Sequence, residues 1–146
     1  MRFYKYQGTG NDFVIVDNRK VNHSALSQKM IHTICDRRFG IGADGFMLLN
    51  NKPGFDFEMI YYNADGREGS MCGNGGRCIV QFAHDIGIDR QDFKFLAVDG
   101  EHRADIDNGL VSLKMIDVKS IQLSGDYAVL NTGSPHYVKK LKSLQH

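Results

Sequence analysis

Apolar residues in the first half of this chain come in short blocks separated by glycine-rich intervals. Phe3, Tyr4 and Tyr6 around Lys5, and the run Phe13, Val14, Ile15 and Val16, predict two short strands flanking a polar loop over residues 7–12. From Leu26 the spacing becomes helical at Met30, Ile31 and Ile34, with Ser24 or Ser27 as N-cap and Arg37, Arg38 and Gly40 at the expected end. Residues 46–49 predict a third strand. Phe55, Phe57, Met59 and Tyr61 alternate with Asp56 and Glu58, predicting a fourth that stops in a hairpin turn at Asn63-Ala64-Asp65-Gly66. Between Arg77 and Gly87, Cys78, Ile79, Phe82, Ala83 and Ile86 recur at helical spacing among few charges. So broad an apolar face predicts a helix enclosed by the strands. Further strands are expected over 93–96, 102–107 and 110–118, with Asn108-Gly109 as a strong hairpin signal. Beyond Lys119 the chain starts new strands at 121–123 and 127–131 and a turn at Thr132-Gly133-Ser134-Pro135-His136, then has little left to pair with.

This pattern is α/β, a mixed sheet with an internal helix. Residues 1–118 can bury roughly 65% of their unfolded surface and fold alone, whereas the 28 residues that follow lie below the ~40-residue limit for independent stability. The expected division is therefore a complete unit over 1–118 and an incomplete second unit over 119–146.

Composition narrows the function. With 42% hydrophobic and 24% charged residues in 146, disorder is excluded. A net charge of +1 gives no cationic field for nucleic acid or acidic membranes, and no apolar run approaches the ~18 residues needed to span a bilayer. The N-terminus lacks the pattern of a signal peptide, so a cytoplasmic protein is expected. Cys35, Cys72 and Cys78 are too few for a disulfide framework and form no C-x-x-C pair, so free thiols are expected. No metal cluster, nucleophile elbow or phosphate loop is present in the sequence. Glycine is enriched, and eleven of the 16 lie within the first 76 residues, between apolar blocks, where they suggest shaped walls of a small-molecule site.

Residues 40–45 match G-x-G-x-x-G, but a helix is expected before them and a strand after, the reverse of a dinucleotide fingerprint. Cys72 is more informative. It stands between a strand end and a helix start, where unpaired N–H groups and the helix dipole acidify a thiol, and the N–H groups of Gly73, Asn74 and Gly75 could hold a carboxylate. The plainer reading is a small residue filling a tight turn. Cys35 and Cys78 fall among apolar neighbours on helices and read as inert core. Asn11 and Asn63 occupy turns, where asparagine either orients a ligand or mimics backbone. His136 either tunes a neighbouring thiol or is simply solvated.

Gly8-Thr9-Gly10-Asn11-Asp12-Phe13, Arg38-Phe39-Gly40-Ile41-Gly42-Ala43-Asp44, Asn63-Ala64-Asp65-Gly66 and Met71-Cys72-Gly73-Asn74-Gly75-Gly76-Arg77-Cys78 together resemble diaminopimelate epimerase in order and spacing, as does the turn at 132–136. The resemblance implies two pseudo-symmetric halves, each a mixed sheet curled into a barrel around a central helix, and commonly a homodimer. It implies interconversion of LL- and meso-2,6-diaminopimelate in lysine biosynthesis, without pyridoxal phosphate or metal. One thiolate would remove the α-proton while an opposing thiol delivers another. By position Cys72 would be one of the pair, Asn11, Asn63, Gly73 and Asn74 would contact substrate, and His136 would set thiol pKa values. Gly45 stands where many members have glutamine, and Ser134 where many have asparagine as a substrate contact. The second cysteine has no counterpart here, so a missing C-terminal half is the expected partner. Two other readings are a related cofactor-independent racemase of another amino acid and a non-catalytic half-module that grips a carboxylate.

Overall fold

The computed structural model describes residues 1–20, 26–141 and 143. The first apolar alternation builds β1 (Tyr4–Gly8) and the run after it builds β2 (Asn11–Asp17), paired antiparallel with Gly8 opposite Asn11. Only Thr9 and Gly10 are left to turn, both at positive φ (56° and 82°), as a two-residue hairpin demands. The loop expected over 7–12 is thus much shorter, and Asn11 is the first residue of a strand instead of part of a turn.

Helix α1 (Gln28–Cys35) starts at Ser27, whose hydroxyl accepts the Met30 N–H at 3.3 Å; Ser24, the other candidate cap, lies outside the described residues. α1 carries the chain over to β3 (Gly45–Asn50), which lies parallel to β2. Residues 40–45 therefore join a helix to a strand, in the order the sequence indicated. Strand β4 (Phe57–Asn63) runs antiparallel to β3 and ends in a tight turn where Asn63 accepts the Gly66 N–H at 2.8 Å. The expected hairpin is reduced to one bridge, Tyr62 to Glu68.

Helix α2 (Gly73–Asp85) connects β4 to β5 (Asp92–Ala97), which is parallel to β4. Strands β6 (Gly100–Asp107) and β7 (Leu110–Lys114) complete an antiparallel meander, turning through Asn108 and Gly109 at φ 50° and 77°. The seven strands follow one another in sequence order across a single sheet, and α2 touches both of its edges, β1 and β7, as well as β2, β3, β4 and β6. The sheet is therefore curled around α2 as a half-barrel, with the helix enclosed by strands as the breadth of its apolar face predicted.

β2 and β3 read as unbroken apolar runs because they are covered on both sides. Phe13, Ile15, Met47 and Leu49 face α2 with Ile79, Phe82 and Ala83, while Val14, Val16, Phe46 and Leu48 face α1 with Ile31 and Cys35. Tyr4 and Tyr6 close the inner cluster against Phe82, with ring centroids 4.8 and 5.7 Å away.

The remainder forms a second sheet of β8 (Ile121–Ser124), β9 (Tyr127–Asn131) and β10 (Pro135–Lys139) in the order β10-β9-β8. Pro135 and His136, expected in a turn, open a strand that pairs with β9, so the tail is better paired than its composition suggests. Its turn meets the loop between β4 and α2, where the Ser134 and Ser70 hydroxyls lie 2.7 Å apart.

Candidate functional site

Three strands and one helix bring their ends to the same rim of the half-barrel. Asn11 begins β2, Gly45 begins the parallel β3, and Asn63 ends the antiparallel β4; the register sets Gly45 between Phe13 and Asn63. Cys72 is the N-cap of α2, in extended conformation (φ −113°, ψ 121°), and its side chain makes no capping bond. Its carbonyl accepts the first helical N–H, from Gly76 at 2.8 Å. The N–H groups of Gly73, Asn74 and Gly75 precede that bond and point out of the helix start, where the dipole favours an anion.

The Cys72 sulfur is half-buried and faces the Asn11 carbonyl oxygen at 3.7 Å. Asn74 donates to the same oxygen at 3.4 Å, and its own carbonyl oxygen accepts from Thr9 at 3.3 Å and from the Arg77 guanidinium. The Asn11 amide nitrogen donates to Asp44 at 2.8 Å, which fixes the amide so that its oxygen turns toward the thiol. Cys72, Asn11, Asn74 and Gly73 are thus one cluster.

The other candidates stand farther out. Asn63 is exposed at the rim, its N–H bonded to Arg67 O at 2.9 Å. Ser134 reaches Ser70, two residues before Cys72. His136 is exposed and held within its own turn, Nδ1 lying 2.7 Å from Ser134 O and 3.4 Å from the Thr132 hydroxyl. Cys35 and Cys78 are buried, and burial pushes both thiols up to about 11.

An ionic layer behind Asn11 was not singled out from the sequence. Arg37 binds Asp12 at 2.8 and 3.1 Å and Asp44 at 2.8 Å, while Lys5 binds Asp12 at 2.9 Å. The Arg37 guanidinium above all, then Lys5, holds the Asp12 carboxyl far below the usual carboxylate range. Asp44 is lowered by the Asn11 amide first, then by the Asp12 N–H and Arg37. The available signal was the adjacency of acids to candidate residues, in Asn11-Asp12 and Asp44-Gly45, with basic Arg37 close by.

Among the described residues no helix is long and apolar enough to cross a membrane, and no group of three or more His, Cys, Asp or Glu side chains could hold a metal ion.

A sheet curled on an internal helix matches solved structures of one architecture. A hydroxyproline epimerase from Agrobacterium vitis, solved with trans-4-OH-L-proline bound, aligns at a TM-score of 0.64 and 11% identity over 94% of this chain and 50% of that one. The fold is of the racemase and epimerase type. The profile described as diaminopimelate epimerase matches residues 3–124, and the chain belongs to the diaminopimelate epimerase family. A diaminopimelate epimerase from Flavobacterium psychrophilum is 48% identical over the whole of this chain, and one from Campylobacter jejuni 39% identical over 99% of it. The chain spans 57% and 59% of the length of those two relatives.

Proposed function

We propose that the chain supplies one half-site of a cofactor-independent epimerase that interconverts LL- and meso-2,6-diaminopimelate, with residues 1–118 as the first half and 119–146 as the beginning of the second. The observation that carries this reading is the cluster of Cys72, Asn11 and Asn74 at the start of α2, in a chain of this family.

The α-proton of an amino acid is weakly acidic, so its removal needs the developing charge to be met by fixed dipoles in a site closed to water. The substrate carboxylate takes the N–H groups of Gly73, Asn74 and Gly75. The Cys72 thiolate accepts the α-proton and becomes a thiol; a thiol on the opposite face gives its proton to the α-carbon and becomes a thiolate, so protons and charge balance. Neither Cys35 nor Cys78 fills that opposing role, both being buried. A second half with its own cysteine completes the site, and a homodimer in the cytoplasm is the working form. Asn11, Asn63 and Ser134 contact substrate, and His136 acts on Cys72 at a distance, through the turn that bonds Ser70.

The test is incubation of the chain, together with a second half that carries the opposing cysteine, with each diaminopimelate stereoisomer in D2O, following deuterium at the α-carbon by mass spectrometry and configuration by chiral chromatography. Inversion with deuterium uptake is expected, with loss of both in Cys72→Ala. Binding without exchange would make the chain a carboxylate-binding module, and exchange confined to another amino acid would make it a different racemase.

A further inference from the structure

The inner face of β4 presents Phe57, Met59, Tyr61 and Asn63 in turn. The first two are core. Tyr61, one step below the rim, packs edge-on against Phe13 with centroids 6.0 Å apart. Its ring is also clasped by two glycines. A Cβ on Gly45 would lie 2.4 Å from ring atom Cε2 and 2.8 Å from the hydroxyl, and a Cβ on Gly69 would lie 2.6 Å from Cε1 on the other side. Side-chain carbons do not approach so closely, so the ring occupies space that any residue but glycine at 45 or 69 would claim.

That space belongs to the rim. Gly45 follows Asp44, which anchors Asn11, and pairs in register with Asn63. The same Cβ on Gly69 would come within 3.1 Å of the Asn63 amide nitrogen. The Tyr61 hydroxyl has no hydrogen-bond partner among the described residues, and the side chain is only half-buried, its hydroxyl lying beside Gly45 where β3 begins. Burial of the ring, reinforced by the charges of Cys72 and Asp44, pushes its pKa up to about 12, which keeps it a neutral donor. Packing against Phe13 and the two glycines would be served as well by phenylalanine.

We infer that Tyr61 is a substrate-contact residue, its hydroxyl donating a hydrogen bond to a carboxylate oxygen of the amino acid held at the start of α2. The inference rests on the half-site reading of Cys72 given above. Removing a hydrogen bond to a charged group costs roughly tenfold in affinity. Tyr61→Phe keeps the ring between its glycines, so its thermal midpoint should match the parent while KM for diaminopimelate in the exchange assay rises about tenfold and kcat stays within about twofold. An unchanged KM, with exchange intact in the parent and lost in Cys72→Ala, would overturn the role of Tyr61 and leave the half-site standing. Should the parent bind diaminopimelate without exchanging it, calorimetry replaces kinetics: about tenfold weaker binding by Tyr61→Phe supports the inference, and equal binding overturns it. A parent that neither exchanges nor binds diaminopimelate overturns both.

Discussion

Asn11 presents its carbonyl oxygen to the Cys72 sulfur at 3.7 Å because its amide nitrogen is committed to Asp44 at 2.8 Å. The sulfur therefore faces a neutral acceptor whose orientation is fixed from behind. Replacing Asn11 by Asp sets a negative charge against the sulfur and opposes its ionisation. Alkylation of Cys72 by iodoacetamide should slow severalfold in Asn11→Asp, since only the thiolate reacts. Peptide mass spectrometry after timed quenching measures this, and an unaltered rate would mean that the amide does not govern the thiol.

The three cysteines should also separate from one another. Cys72 is half-buried at a helix start, whereas Cys35 and Cys78 are buried with thiols pushed up to about 11. At pH 8 the latter two are only about a thousandth thiolate, and the packing around them excludes reagent as well. Limited alkylation of the folded protein is expected to label Cys72 alone, with the others reacting only in denaturant. Early labelling of Cys35 or Cys78 would contradict the burial described.

How much of this was legible from residues alone follows from which interactions are local. The internal helix announced itself through Cys78, Ile79, Phe82, Ala83 and Ile86, but its first turn did not, since Gly73, Gly75 and Gly76 are poor helix formers. Burial of Gly75 and Gly76 against the strands overrides that propensity. Strand β10 was hidden by Pro135, a residue tolerated at the first position of an edge strand, which is where the β10-β9-β8 order sets it. Cys72, Asn11 and Asn74 could be nominated from helix-start and turn chemistry. The layer of Lys5, Asp12, Arg37 and Asp44 left only the acids beside Asn11 and Gly45 as a local trace, because it joins β1, β2 and the loop between α1 and β3, a juxtaposition made by the sheet. Alternation likewise gives the face on which Tyr61 lies but not the two glycines that admit its ring.

Two glycines make opposite predictions for stability. A Cβ on Gly40 would lie 2.0 Å from Thr33 O and 2.6 Å from Ile34 O, both backbone atoms at the end of α1, where Ile41 and Gly42 also donate to Ile34 O. Nothing there can yield cheaply, so Gly40→Ala should destabilise by about 3 kcal/mol, lowering Tm by roughly 10 °C. A Cβ on Gly76 meets only the tips of Met71 and Leu113, at 2.6 and 2.7 Å, and Ala gains roughly 1 kcal/mol of helix propensity. Gly76→Ala should therefore stay within about 1 kcal/mol of the parent. Urea titration of both variants is the check, and equal losses would refute the distinction between backbone and side-chain obstruction.

Acid should undo the layer behind Asn11 in a defined window. Asp12 and Asp44 titrate lower in the folded chain than in the unfolded one, chiefly through Arg37 for the first and the Asn11 amide for the second. A depressed carboxyl contributes stability that is complete above its unfolded value, about 3.9, and is lost as pH falls through the folded value. Tm should accordingly be level from pH 7 to about 5 as far as this layer is concerned and fall below about 4. Arg37→Gln removes the partner both acids share, so its Tm deficit should be widest near neutrality and close as the carboxyls protonate. Thermal melts of both proteins between pH 2.5 and 7, at low salt because Arg37 is largely exposed, test this. A deficit that stays constant across the range would show that Arg37 acts through packing and not through these charges.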